Sequence, residues 1–220
     1  MIELLLGVVA WRTVGLWGFY SMFLRFIAVM SLAWAVSGCV TTNQHSLSGS
    51  DLQSFKLAEV RVVVPPEASI VGYDGINEYL AGRNVPNYEL NAATETEEAK
   101  QWTRDHLAAR IKGAMQQNLA GTFNGNRPVR AEVTVHGFML SSAVQRIVVG
   151  GNYHMVADVT LVDAKTGAVI VAYPKMVHVV QALNGWAGAI VQAAYDAANS
   201  PGERVVKGFA EQYRGWLLKT

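Results

Sequence analysis

Apolar and polar positions alternate along some stretches of the chain and recur at helical spacing along others. Ala58, Val60, Val62 and Val64 alternate with Glu59, Arg61 and Val63, which predicts a half-buried strand closed by Pro65-Pro66. Residues 67–93 show no clean period; they hold Tyr73, Tyr79 and Tyr88 and predict a long functional loop or a short helix near 76–80. Thr94-Glu95-Thr96-Glu97 then reads as a capping box. It opens a helix that runs to about Ala120, stops near Gly121 and carries one apolar stripe of Leu107, Ile111, Met115 and Leu119.

A β-rich middle follows. Ala131, Val133 and Val135 alternate with polar neighbours, as do Tyr153, Met155, Ala157, Val159 and Leu161. Asp163-Ala164-Lys165-Thr166-Gly167 predicts a tight turn into a partner strand over 168–173. Gly150-Gly151 marks either a turn or a bulge. Two helices close the chain, one over about 184–198 and one opened by Ser200-Pro201-Gly202-Glu203. The stripe of the second is Val205, Val206, Phe209, Tyr213, Trp216 and Leu217. The order β-α-β-β-β-α-α predicts an α+β two-layer sandwich, a mostly antiparallel sheet with helices packed on one face.

The first 38 residues differ in kind. They carry only Glu3, Arg12 and Arg25 as charged groups. Of 18 basic and 17 acidic side chains in the chain, two and one lie there, so the rest is formally neutral. No basic stripe interleaved with aromatics is present, which argues against nucleic acid as a partner. From Met22 the chain reads as a signal: a short segment with Arg25, an apolar run, then Val36-Ser37-Gly38-Cys39. A signal anchor and plain secretion are the alternatives. The apolar run before Arg12 is redundant with this signal, so translation is expected to start at Met22 rather than Met1. The expected division is a signal over 1–38, a lipidated cysteine and flexible Ser/Thr/Asn-rich tether over 39–54, and a periplasmic domain over 55–220.

Val36-Ser37-Gly38-Cys39 resembles the lipobox of bacterial lipoproteins. With the D-x-x-T-G turn at Asp163–Gly167, the chain is similar to uncharacterised Gram-negative periplasmic lipoproteins. It is more loosely similar to the periplasmic domain of the curli-secretion lipoprotein. The resemblance implies cleavage between Gly38 and Cys39, a diacylglyceryl and an N-acyl group on Cys39, and a tether to the periplasmic side of a membrane. Two or more acyl chains hold stably where one does not. Val40 in place of Asp implies the outer rather than the inner membrane. The resemblance implies an envelope protein, and no catalytic residue is carried over.

Chemistry is sparse. No nucleophile elbow, zinc-protease helix, phosphate loop or dinucleotide fingerprint occurs. Cys39 is the single cysteine, so no disulfide forms within the chain. His136, His154 and Asp158 on one sheet face make a metal site conceivable, but polar residues on an open face explain them better, and no metal or other cofactor is expected. Residues 176–195 carry no formal charge, which suggests membrane insertion or, better, a buried strand and a packed helix. Trp102, His106, Ala109 and Gly113 share the back of the long helix and form a candidate partner face, unless residues 67–93 fold over them. The function expected is a non-catalytic envelope scaffold or assembly module that meets another envelope protein. The alternatives are a weakly marked enzyme or small-ligand carrier, and a subunit of an outer-membrane secretion pore.

Overall fold

A computed structural model describes residues 43–220 apart from Asn84, Asn87 and Tyr88, and apart from the side chains of Leu90 and Asn91. The signal segment, Gly38 and Cys39 lie outside the described residues. Residues 44–220 form one compact unit. Its elements, in chain order, are α1 (Gly49–Ser54), β1 (Phe55–Val63), β2 (Ser69–Val71), α2 (Ile76–Ala81), α3 (Leu90–Thr94), α4 (Glu97–Ala120), β3 (Arg127–Leu140), α5 (Ala143–Val148), β4 (Tyr153–Asp163), β5 (Val169–Val180), α6 (Gly185–Ala198) and α7 (Pro201–Leu218).

The sheet has the order β1-β3-β4-β5, with short β2 also on β3. β1 and β2 run parallel to β3, while β3–β4 and β4–β5 are antiparallel. A parallel neighbour needs a crossover, and α4 supplies it. The fold is therefore the α+β sandwich that the patterning predicts. α4 and α7 lie side by side and pack on the sheet. The α4 stripe of Leu107, Ile111, Met115 and Leu119 and the α7 stripe of Val205, Phe209, Tyr213 and Leu217 are fully buried against Val133, Val135, Met155, Val159 and Leu161. Each such side chain contributes roughly 1.5–3 kcal/mol on leaving water. The opposite sheet face is half-exposed and polar along Arg130, Glu132, Thr134 and Asp158.

Several local expectations shift. The α4 cap is Thr96, whose hydroxyl accepts from the Ala99 N–H at 3.2 Å, because Thr94 is used up in α3. Gly150-Gly151 is neither a hairpin turn nor a bulge within a strand: α5 intervenes between β3 and β4, and Gly150 has φ 79° in the loop behind it. The turn at Asp163 forms as predicted, with its carboxylate accepting from the Lys165 and Thr166 N–H groups at 3.1 Å. β5 does not stop at Tyr173. It passes Pro174, which an edge strand tolerates, through an irregularity in which Lys175 adopts φ 47° and donates its N–H to Asp158. The polar stretch before Phe55 is structured in part. Ser48 and Asp51 cap α1 reciprocally, and the His45 ring hydrogen-bonds the Trp216 carbonyl at 2.9 Å, near the end of α7.

Candidate functional site

The four residues of the expected partner face separate in the structure. Trp102 is half-buried between His106, stacked at 4.5 Å, and Tyr79 of α2 at 5.4 Å. Tyr73 joins the same cluster through its hydroxyl, 2.7 Å from His106 Nδ1, so the tyrosine-bearing segment folds over this half of α4. Ala109 and Gly113 instead line a shallow cleft of about 280 Å³ between α4 and α7. Arg110, between the two pairs, holds Asp74 at 3.1 Å. Asp74 also accepts from Ser200 Oγ and from the Gly202 N–H at the start of α7, where the helix dipole favours an anion.

His136 Nε2 lies 2.8 Å from an Asp158 carboxylate oxygen on the open sheet face. Burial acts upward on the Asp158 carboxyl, but the Lys175 N–H and the His136 ring outweigh it and hold it below the usual carboxylate range. His154 lies four positions along the same strand, paired with Val179. Among the described residues, no group of three His, Cys, Asp or Glu side chains could hold a metal.

A charged cluster lies at the pole where β3 ends and β4 begins. Arg146 of α5 is buried, 4% exposed; its guanidinium donates to the Ser141 carbonyl at 2.5 Å and to the Tyr153 hydroxyl at 2.8 Å. The Tyr153 hydroxyl donates to Asp196 of α6. Asp196 also accepts from Arg204 of α7 at 2.5 Å and from Gln192 Nε2 at 2.8 Å. Gln192 in turn accepts from the Leu183 N–H at 2.9 Å. Burial, then the Asp196 carboxylate, push the Tyr153 phenol up to about 12, so it stays a donor across the physiological range. Two guanidiniums thus converge on one carboxylate, which ties α5, α6 and α7 to the start of β4. Sequence reasoning missed all five of Arg146, Tyr153, Gln192, Asp196 and Arg204. The readable signal was isolation: Arg146 adjoins Ile147-Val148-Val149, and Asp196 is the one acid between Asp163 and Glu203.

With their polar groups turned inward, α5 and α6 turn their apolar groups outward. On α6 the buried positions are Ala189 and Gln192, with Asp196 half-buried beside them. All of its exposed positions are Gly, Ala, Trp, Ile, Val or Tyr. Trp186 is 72% exposed, and on and behind α5 Val144, Val148 and Val149 are 71–77% exposed. The exposed large side chains of this pole present on the order of 1,000 Å², against roughly 300–600 Å² for the largest apolar patch of an ordinary monomer. The uncharged stretch 176–195 is therefore the end of an edge strand plus a helix pinned by polar contacts, not a packed apolar helix. Among the described residues no helix is long and apolar enough to cross a membrane.

Fold and site define an α+β sandwich domain with a polar-cored, apolar-faced pole. Residues 95–220, more than half of the chain, match DUF6778, a family of unknown function, and the chain belongs to that family. Comparison with curated proteins found no match. Among solved structures, the chain is similar to XCC0632 from Xanthomonas campestris, a DUF330 protein, at 11% identity over 76% of this chain and 84% of that one, TM-score 0.37. It is similar to the PelC dodecamer from Paraburkholderia phytofirmans at 11% identity, over 77% and 91%, TM-score 0.31. It is similar to lipoprotein GNA1162 from Neisseria meningitidis at 19% identity, over 66% and 95%, TM-score 0.26. At such identities and scores the likeness assigns no role.

Proposed function

We propose that this protein is a membrane-anchored envelope scaffold or assembly module, lipidated at Cys39 after cleavage behind Gly38. The observation that carries the assembly role is the α5/α6 pole, where an extensive uncharged surface is held outward by a buried charged cluster. Exposing that much apolar surface is costly unless something covers it, and its rigid anchoring suits a docking face rather than a loose flap. The anchor rests on the lipobox and the apolar run before it, with the outer membrane favoured by Val40. His45 lies six positions after Cys39, a reach of about 20 Å when extended. The domain would ride close to its membrane.

Metabolic labelling with a fatty-acid probe tests the anchor. Label on the parent chain and none on Cys39→Ala supports it; equal labelling of both overturns it. Crosslinking in intact envelopes tests the assembly role. Protein adducts through the α5/α6 pole support it, and a pole that crosslinks to no protein overturns it.

A further inference from the structure

The pattern on α6 identifies what covers it. The helix is fixed through one inward stripe, so at about 100° per residue its outward face centres on Ala187 and Ala194. Trp186 and Ile190 line one flank of that face; Val191 and Tyr195 line the other. The arrangement reads the same in both directions about the midpoint of 190 and 191. Trp186 exchanges with Tyr195, Ile190 with Val191, Ala187 with Ala194, Gly188 with Ala193, and inward Ala189 with inward Gln192. In a two-fold contact one patch serves both partners, so each flank must be complementary to its own reverse.

We propose that the α5/α6 pole pairs with the same pole of a second copy of this chain, with α6 antiparallel to α6 about a two-fold axis through positions 190 and 191. This rests on the assembly reading of that pole and names its partner. Each flank is large over half its length and small over the other half: Trp186 and Ile190 are followed by Ala193 and Ala197. Antiparallel pairing sets the Trp186 of one copy over Ala193 and Ala197 of the other, and its Tyr195 over Ala187 and Gly188. Large then fills small throughout, as close packing demands. The alanine-lined centre lets the axes approach to about 8 Å. No charged side chain is exposed on α5 or α6, so no like charges oppose across the axis. The exposed apolar area of the pole is of the same order as the roughly 800 Å² per partner of a standard interface. The chain's own bilayer is the poorer occupant. His45, near the start of the described domain, meets the far end of α7, an 18-residue helix about 27 Å long whose start adjoins α6, so it lies away from this pole.

The test uses full-length chains in intact envelopes with a short thiol crosslinker, and the parent chain as blank. Ile190→Cys, beside the axis, should give a crosslinked dimer. Ala194→Cys alone should give at least fivefold less, because the two copies of position 194 lie about 10 Å apart along the helices. Copies with Ala187→Cys and Ala194→Cys, differently tagged and co-expressed, should give the mixed dimer. Adducts of Ile190→Cys to other proteins alone would overturn the second-copy inference and leave the assembly reading standing. No protein adduct from any of these positions would overturn both. Equal dimer from 190, 194 and Lys165→Cys in the turn at the opposite pole would mark random collision and overturn the inference.

Discussion

The two helical regions of this domain follow opposite rules. α4 and α7 bury apolar stripes and expose charge; α5 and α6 turn Arg146, Gln192 and Asp196 inward and expose Val, Ile, Trp and Tyr. In the first region removal of apolar area from water holds the helices down. In the second, directed polar contacts do so, while the apolar area stays available. The difference separates what stabilises the fold from what the fold presents.

The largest effect should come from the core. Phe209→Ala should cost about 3–5 kcal/mol in global stability, read by denaturant midpoint, because Phe209 is fully buried between α7 and the sheet. Asp196→Ala should cost about 3 kcal/mol by stranding two guanidiniums. Hydrogen exchange should localise the loss to α5 and α6, with the α4 amides still protected; uniform loss across both regions would erase the distinction drawn here. Trp102→Ala should cost about 2 kcal/mol, less than a fully buried Trp, because Trp102 is half-buried under Tyr79. An unchanged melting temperature would show that residues 73–81 do not cover it.

The pH response should have an alkaline and an acidic limb. The Tyr153 phenol is raised in the folded state, so its contribution is complete below about pH 10 and is lost as the pH rises through about 12. Asp158 and Asp163 are held low, so theirs is complete above about pH 4 and fades as the pH falls through their lowered values. Burial also raises the Tyr213 phenol in the α7 core, so alkali should loosen both regions from about pH 10 upward, as exchange rates at stepped pH would report.

The same contrast explains what could be read from the sequence. α4 and α7 were legible because their apolar stripes face the core at helical spacing, and Ser200 and Pro201 mark a start. α6 was legible as a helix, but not its orientation: composition favours burying Trp186 and Ile190, and the deciding contacts come from Arg146 and Arg204 on other elements. α5 escaped because Arg146 points inward and Val148 outward, although Ser142 capping the Gln145 N–H was a readable start. β2, three residues long, carries too little pattern to detect. β5 seemed to end at Pro174 because the irregularity that carries it onward depends on Asp158 across the sheet. The Tyr73–His106–Trp102 cluster joins residues some thirty positions apart, which periodicity cannot pair.

The central claim, that the α5/α6 pole works outward, is tested most directly by Trp186→Asp in the full-length chain. Trp186 is 72% exposed, so the substitution should change folding stability by no more than about 0.5 kcal/mol. Light scattering in mild detergent should show the parent chain self-associated and the variant monomeric, with the two melting temperatures alike once the parent is diluted to monomer. A variant that associates as the parent does, or one whose melting temperature falls as for a core truncation, would contradict the account.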